Sequence, residues 1–349
     1  MASRLALLAS CLFFMSCSAG MMIVNKMALR AVGLPITVVM IQMAFTVLFI
    51  CASPCTLHFG SARDVLRWAC TVPFLFTLML ASSMLALDHA SMGAIVVVRN
   101  VAPLVTMAVE GFFGEAVQID CWTVVSLLYI IGGVVLYVST DISFSPQGMG
   151  YMLVNMVASV LERIIQRKLI ALTPIDVSKT GMMLINNAVS LVLMLPVLFY
   201  FDEFSRWYRL RQLSQQSMAL LVGSCVTAVA ISWAGINAQS YVTATTFMVA
   251  FSSPTNTRGH ASLSTRGFLG ASSSHLRLQV LTNLNKFVVI GFGMFILNEA
   301  RTWQAYAGCL IALSGGLWYA RIRSQPQPSK VSVSDKGADE RDSLVNCAK

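Results

Sequence analysis

The chain has 349 residues, of which 56% are hydrophobic and only 11% are charged, with a mean hydropathy of +0.72. Soluble globular proteins carry about 25% charged residues, so this composition excludes a water-soluble enzyme. One membrane-spanning helix needs about 20 apolar residues, and the chain has room for roughly ten of them. The alternating segments of about 10 residues that an outer-membrane barrel requires do not occur. The sequence therefore predicts an all-α membrane protein.

Apolar segments, taken in chain order, predict ten transmembrane helices. They are 5–24, 35–53, 69–87, 91–113, 121–139, 147–166, 180–201, 217–236, an interrupted segment made of 241–249 and 281–297, and 302–320. We interpret residues 1–320 as one ten-span domain with a first half, 1–141, and a second half, 147–320. Residues 321–349 are polar and have little to bury, so we expect a disordered tail.

The distribution of basic residues predicts the orientation of the chain in the membrane. With ten spans, both termini lie on the same side. Most of the 24 Lys and Arg residues fall on that side, among them Arg63, Arg163 and Arg321, whereas Lys26 and Arg206 fall on the other. The positive-inside rule then places both termini in the cytosol. The formal net charge of +9 mostly reflects this topology, and we expect no nucleic-acid partner.

Residues 250–280 have the composition of a loop in the middle of a predicted span. The segment is rich in Ser and Gly, and it contains Pro254 and no acidic residue. Backbone at mid-membrane depth is tolerated outside a helix only when protein or water surrounds it. Joining 249 to 281 restores a continuous apolar span, so we interpret 250–280 as an insertion, such as translated intron or a splice variant. A genuine long loop is the alternative.

The two halves carry similar polar residues at corresponding spans. Gln42 in the second span corresponds to Asn186 in the seventh, and the pair Arg99-Asn100 in the fourth corresponds to Asn285-Lys286 in the ninth. This indicates a duplicated unit, and an odd number of spans per half makes the two copies inverted. The predicted architecture is two inverted five-helix repeats, with the substrate site at their interface.

Arg99 and Lys286 are the leading candidate site residues. Arg99 lies about 12 Å into its span. A charge at the centre of a membrane helix costs about 2.5–3.5 kcal/mol, so such residues are functional candidates by default. Together they would form a positive cavity for an anion such as a phosphate or diphosphate. The alternative is an internal salt bridge, for which Glu162 is the remaining partner.

Amide side chains complete the candidate site. Asn100, Asn186, Asn187, Asn283 and Asn285 can both donate and accept hydrogen bonds, as recognition of a base or a sugar requires. Amides also hold membrane helices together, which is the alternative role for each of them. The scattered acidic residues, with His58 and His89, form no paired catalytic arrangement, and the Cys residues have no metal-binding spacing. We therefore expect neither an enzyme nor a cofactor or metal.

With these features, the chain resembles the drug/metabolite transporter superfamily, and within it the nucleotide-sugar transporters of the GDP-mannose type. The resemblance extends over nearly all of 1–320 except 250–280. Leu184-Ile185-Asn186-Asn187 is similar to the Phe-Tyr-Asn-Asn element of span 7, which the family uses for the nucleotide. Thr282-Asn283-Leu284-Asn285-Lys286 is similar to the Gly-Ala-Leu-Asn-Lys element of span 9, which is associated with the sugar and the phosphates.

The resemblance implies an antiporter in the Golgi membrane. It would exchange a cytosolic nucleotide-sugar, such as GDP-mannose, for the nucleoside monophosphate left after glycosyl transfer. Two alternatives stay open: an exchanger of phosphorylated metabolites such as sugar phosphates, and a splice variant that does not transport. In the last span Gly308, Ala312 and Gly316 recur every four positions, and we expect them to pack inside the molecule, with a homodimer contact as the alternative.

Overall fold

The computed structural model describes residues 2–54, 57–102, 104–105, 121–140, 145–167, 169, 175–241, 286, 288–297 and 302–324. Within this part of the chain the secondary structure is helical, apart from an isolated antiparallel bridge between Phe59 and Val177. The helices are α1 (Ala2–Val32), α2 (Pro35–Ala52), α3 (Ala62–Ala69), α4 (Val72–His89), α5 (Met92–Val98), α6 (Cys121–Thr140), α7 (Pro146–Arg167), α8 (Lys179–Tyr200), α9 (Gln215–Tyr241) and α10 (Trp303–Ser324). Arg99–Val101 and Phe204–Gln212 form 3-10 helices, and residues 288–295 are helical.

The expected all-α membrane fold is confirmed, whereas the count of ten spans is not. Seven helices of the described residues are long and apolar enough to cross a membrane. The predicted span 91–113 begins as the shorter apolar helix Met92–Val101, and α10 occupies the position of the predicted last span. Residues 242–285, which include the proposed insertion 250–280, lie outside the described residues, as does the tail from 325 onward.

Turn-forming and capping residues set the ends of several helices. Gly33 follows α1 with a φ of +68°, and its N–H donates to the Leu29 carbonyl at 2.7 Å, which closes the end of that helix. Pro35 then begins α2, where its missing N–H costs nothing. Ser91 and Ser178 cap α5 and α8 by accepting from Ala94 N and Gly181 N. These local signals place the short connections between apolar segments.

Lys26 corrects the sequence interpretation of the first span. The prediction ended that span at residue 24 and placed Lys26 outside the membrane, but α1 continues to Val32 and Lys26 is only 6% exposed. Its ammonium donates to the Leu87 and Ala90 carbonyls at 2.5 and 2.8 Å. These carbonyls lie at the C-terminal end of α4, where a cation is favourable because it satisfies acceptors and opposes the helix dipole.

The most extensive helix contacts join the two halves of the chain. α1 packs on α9, and α4 packs on α7. α2 packs on α8, and α6 packs on α10. Two further contacts cross between these pairs, α4 with α8 and α2 with α9. The main hydrophobic core lies along these contacts and includes the fully buried Ile36, Met43, Met92, Ile130 and Leu313.

A buried carboxylate links the connection after α8 to the start of α2. Glu203 is 1% exposed, and its two oxygens accept from Ile36 N at 2.9 Å, Thr37 N at 2.7 Å and Thr37 Oγ1 at 2.8 Å. The first turn of a helix has N–H groups without intrahelical partners, and it favours a negative charge. We call this arrangement the Glu203 contact.

A second polar contact links the connection after α2 to the start of α8. Gly60 N donates to the Asp176 carbonyl at 2.7 Å, and Ser178 N donates to the His58 carbonyl at 3.0 Å. The His58 ring and the Asp176 carboxylate approach within 3.2 Å. We call this arrangement the His58 contact. Unlike the Glu203 contact, it is exposed to solvent, with the His58 and Asp176 side chains 63% and 71% exposed.

Small residues allow α6 and α10 to approach closely. A Cβ atom added at Gly133 would lie 2.5 Å from Ala312 N and 2.9 Å from the Gly308 carbonyl. A Cβ at Gly308 would lie 2.6 Å from Tyr137 N. The expectation that the small residues of the last span pack inside the molecule is therefore confirmed for Gly308 and Ala312.

Replacement of Gly133 by Ala tests this helix contact. Because the added methyl group would meet backbone atoms of α10, we expect Gly133→Ala to lower the stability of the detergent-solubilised protein by about 1–3 kcal/mol. Gly132→Ala is the matched control, since a Cβ atom there has no neighbour within 4 Å. Thermal unfolding of both variants measures the difference. Equal effects of the two substitutions would contradict the close contact.

Candidate functional site

The interior of the helix assembly contains two neighbouring cavities. The first, of about 210 Å³, is lined by the side-chain amides of Gln42, Gln166, Asn186 and Asn187, and we call it the amide cavity. The second, of about 290 Å³, we call the cationic cavity, and its polar lining residues include Arg99, Asn155, Arg163 and Lys286. The residues shared by both walls are Phe14, Met79, Leu80, Arg163 and Ile231.

Neutral side chains hold Arg99 in the wall of the cationic cavity. Arg99 lies where α5 tightens into a 3-10 turn, and its Nη2 donates to Ser83 Oγ and to Asn155 Oδ1, each at 3.2 Å. Asn155 is oriented in turn, since its Nδ2 donates to the Met79 carbonyl at 2.7 Å. These contacts fix the position of the guanidinium. Because both partners are neutral, they do not cancel its positive charge.

Lys286 is held in a similar way. Its Nζ donates to Asn100 Oδ1 at 2.7 Å, and Asn100 Nδ2 donates to the Val96 carbonyl at 3.2 Å. Lys286 lines the cationic cavity, whereas the 3% exposed Asn100 lies behind it as its support. The corresponding pairs Arg99-Asn100 and Asn285-Lys286 thus contribute charges to one cavity, although Asn285 and Asn283 lie outside the described residues.

The sequence left an internal salt bridge open as the alternative role of Arg99, and the described residues do not show one. Within the described residues, neither Arg99 nor Lys286 forms an ion pair with a carboxylate, and their partners are the neutral Ser83, Asn155 and Asn100. Glu162, the carboxylate considered as the partner, instead accepts a short hydrogen bond from Gln166 and lines the amide cavity. The cationic cavity therefore contains a net positive charge that suits an anion.

Arg163 is a third cation, which the sequence analysis placed on the cytosolic face. It lies inside α7 and lines both cavities. Asn155, Ser159 and Arg163 recur every four residues along this helix, and all three line the cationic cavity. Residues spaced by four lie on one face of a helix. This polar stripe was present in the sequence and could have identified Arg163 as an inward-facing residue.

Contacts with neighbouring groups orient the side chains of the amide cavity. Asn186 Oδ1 accepts from Trp68 Nε1 at 2.8 Å, and Asn187 Nδ2 donates to the Met183 carbonyl at 2.8 Å. Gln42 Nε2 donates to Asn25 Oδ1 at 2.9 Å. Most of the remaining wall is apolar, with aromatic and thioether side chains from Phe14, Met43, Phe76 and Met183. Such a mixture of an apolar wall with few fixed polar groups is typical of sites for organic ligands.

The structure thus brings five of the seven sequence-predicted residues into one region. Asn186 and Asn187 lie in the amide cavity, and Arg99 and Lys286 lie in the cationic cavity with Asn100 behind them. The described residues contain no group of three or more His, Cys, Asp or Glu residues suited to a metal ion. The arrangement offers anion binding and hydrogen bonding to a polar organic group.

Comparison with known proteins assigns the family. Residues 3–254 match the Triose-phosphate Transporter family over more than half of the chain. The chain belongs to this family. It also resembles two transporters of Arabidopsis thaliana. GDP-fucose transporter 1 is 22% identical over 336 residues, covering 93% of this chain and 89% of the relative. GDP-mannose transporter GONST3 is 22% identical over 338 residues, covering 93% and 80%.

The family assignment confirms two expectations from the sequence. The resemblance to nucleotide-sugar transporters within the drug/metabolite transporter superfamily agrees with both the family and the two relatives. The family and both relatives are transporters, so this membrane protein is a transporter and not an enzyme. The roles of the individual site residues stay predictions.

Trp68 supports the candidate site from outside the two cavities, and the sequence analysis missed it. It comes from α3, is 1% exposed, and packs with Met182 and Ile185 in a second hydrophobic cluster. Its only polar atom fixes the orientation of Asn186. No local pattern around Trp68 indicates this, since the partner is 118 residues away in the chain.

Removal of the indole N–H tests the support of Asn186. Trp68→Phe leaves the Asn186 oxygen buried without this donor, so we expect the free energy of unfolding to fall by about 1–3 kcal/mol. Trp122→Phe is the matched control, since Trp122 is 60% exposed on the apolar outer surface of α6. Thermal unfolding in detergent compares the two variants. A Trp68→Phe variant as stable as the control would contradict this role.

Proposed function

We propose that this protein is a nucleotide-sugar antiporter that exchanges a GDP-sugar, such as GDP-mannose, for a nucleoside monophosphate across the Golgi membrane. The observation that carries the proposal is that a cationic cavity and an amide cavity lie side by side inside the helix assembly and share part of their walls. A nucleotide-sugar has two corresponding parts: its charged phosphates match the cationic cavity, and its uncharged base matches the amide cavity. The names of the two relatives, both GDP-sugar transporters, agree with this ligand class.

The phosphates of the ligand would bind between Arg99, Lys286 and Arg163. Guanidinium and ammonium groups donate strong, charge-assisted hydrogen bonds to phosphate oxygens. The base would bind in the amide cavity, where Asn186 and Asn187 can donate and accept. Asn283 and Asn285 precede Lys286 in the sequence, and we propose that they bind the sugar end of the ligand.

Exchange follows from the cost of closing the site without an anion. Charged groups removed from water and left uncompensated are strongly unfavourable. An occluded state that contains Arg99 and Lys286 without a ligand would therefore be sparsely populated, and the carrier would return across the membrane mainly when loaded. A nucleoside monophosphate supplies the compensating charge on the return step.

The helix packing supports two inverted five-helix repeats. If α1, α2, α4 and α6 correspond to α7, α8, α9 and α10, exchange of the two halves converts the α1–α9 contact into the α7–α4 contact. The α4–α8 contact likewise becomes the α9–α2 contact, and the α2–α8 and α6–α10 contacts map onto themselves. Each of the most extensive contacts thus has a symmetry mate, as inverted repeats require.

The Glu203 contact and the His58 contact are also exchanged when the two halves are exchanged. The Glu203 contact joins the connection after α8 to the start of α2, and the His58 contact joins the connection after α2 to the start of α8. In the proposed topology, with both termini in the cytosol, the first lies on the lumenal side and the second on the cytosolic side. The pair would then close the two ends of the transport pathway.

A sugar-phosphate exchanger is the second candidate. The family name and the cationic cavity favour it, because three cations suit any phosphorylated metabolite. A triose phosphate would leave the amide cavity empty, however, and that cavity is the reason we prefer a nucleotide ligand.

Transport by reconstituted protein tests the proposed function. We expect vesicles that contain GMP to accumulate labelled GDP-mannose at least about tenfold faster than empty vesicles, with inhibition by GMP and not by triose phosphates. Lys286→Ala should abolish uptake, because it removes a phosphate ligand, while the exposed Lys179→Ala serves as the matched control. Equal uptake into loaded and empty vesicles would contradict exchange, and inhibition by triose phosphates alone would favour the second candidate.

The role of residues 250–280 needs a separate comparison. The family match ends at residue 254, just inside this segment, which supports its interpretation as an insertion. An insertion here interrupts the span that carries Lys286. We expect the full chain to transport more slowly than a variant that lacks 250–280, both measured in the same exchange assay. Equal rates would contradict the insertion hypothesis and favour a genuine loop.

A further inference from the structure

Glu162 is a buried carboxylate in the amide cavity that the proposed function does not use. It is 5% exposed and lies on α7, on the same cavity wall as Gln166. A carboxylate inside a membrane protein is costly and marks a functional position by default. It lines the amide cavity and not the cationic cavity, whereas its neighbour Arg163 lines both.

The carboxylate has the capacity to accept hydrogen bonds from a ligand. Gln166 Nε2 donates to Glu162 Oε1, which orients the group and occupies one of its acceptor sites. An ionised carboxylate has two oxygens with about four acceptor sites in total. Arg163, the next residue, lines the same cavity and provides a nearby positive charge. A pair of adjacent acceptors in a largely apolar pocket selects a ligand with two adjacent donors.

Among the common nucleobases, guanine has that pattern on its pairing edge. Its N1–H and its N2 amino group are neighbouring donors, whereas adenine, cytosine and uracil have no two neighbouring donors on that edge. The N2 amino group is the donor that distinguishes guanine in the minor groove of DNA as well. A carboxylate can accept from both guanine donors at once, in the geometry that makes bidentate contacts strong.

The opposite requirement, a donor for the guanine O6 atom, is met by Asn186. Because Asn186 Oδ1 accepts from Trp68, the amide is fixed with its NH₂ group as the end that remains for a ligand. Asn186 and Glu162 line the same cavity. We infer that the Glu162 carboxylate accepts hydrogen bonds from the N1–H and the N2 amino group of guanine. It thereby restricts the substrates of this transporter to guanosine nucleotides. The inference rests on the proposed function.

The position along α7 fits a nucleotide that extends across both cavities. Glu162 lies seven residues beyond Asn155, which is about 10 Å along the helix axis. Asn155 is the residue that holds Arg99 in the cationic cavity. A guanine at Glu162 and a diphosphate at Arg99 would thus be separated by space for the ribose, and Arg163 lies in the wall shared by the two cavities.

Binding of matched nucleotides to the full chain tests the inference. Thermal stabilisation in detergent gives an apparent Kd for GMP, for IMP, which lacks the N2 amino group, and for N1-methyl-GMP, which lacks the N1–H. We expect the wild-type protein to bind GMP about tenfold or more tightly than either analogue. Glu162→Gln replaces one acceptor by a donor, and in this variant the ratio of the analogue Kd to the GMP Kd should fall to about one. Glu162→Asp keeps the carboxylate and should retain a preference.

The outcomes separate the inference from the proposed function. If Glu162 only supports the helix, the variant will weaken GMP and IMP equally and the ratio of their Kd values will not change, which overturns the inference. Tighter binding of AMP or UMP than of GMP to the wild-type protein also overturns it, while the general class of nucleotide transporter stands. If no nucleoside monophosphate binds, the proposed function fails as well. The wild-type analogue series needs no variant, so a Glu162→Gln protein that does not fold leaves the test intact.

Discussion

The cost of positive charge inside the bilayer is the constraint on which the rest of this structure depends. Arg99 and Lys286 can lie there because neutral groups from other helices hold them: Ser83 and Asn155 for the first, Asn100 for the second. Neutral partners supply geometry without cancelling charge, so the cavity stays positive. A carboxylate partner inside the protein would have lowered the free-energy cost of burying these residues. It would also have neutralised the charge that binds an anion.

The proposed inverted repeat would explain how charges from distant parts of the chain meet. Arg99 precedes the middle of the chain and Lys286 follows it, and both line one cavity. In the proposed architecture the spans that carry them would have corresponding places in the two halves. Gln42 and Asn186, the other corresponding pair, likewise share the amide cavity. A binding site on the axis between two inverted copies can present similar groups to both sides of the membrane in turn.

The sequence predicted the parts of this structure that depend on local composition. Apolar runs located α2, α6 and α8 to within a few residues, because lipid requires a continuous apolar stretch of a set length. Lys26 and Arg163 were misplaced, since a basic residue near a helix end is normally assigned to the membrane surface. Only tertiary contacts bring Lys26 inside, whereas the polar stripe of α7 indicated the inward position of Arg163. Trp68 illustrates the general limit: its role depends on a partner on another helix, which no local pattern encodes.

Arg163 lines both cavities, and in the proposed function it would favour a ligand that fills both. Because it lines both walls, it is compensated best when a negative group lies on one side and a polar group, such as a base next to Glu162, lies on the other. Inorganic phosphate or a small sugar phosphate would satisfy the cationic cavity but leave the buried Glu162 and the amides without a ligand. Buried polar groups that a ligand fails to satisfy penalise its binding more than missing apolar contacts do. In the proposed function, the same side chain would therefore contribute both to phosphate affinity and to discrimination against ligands that lack a base.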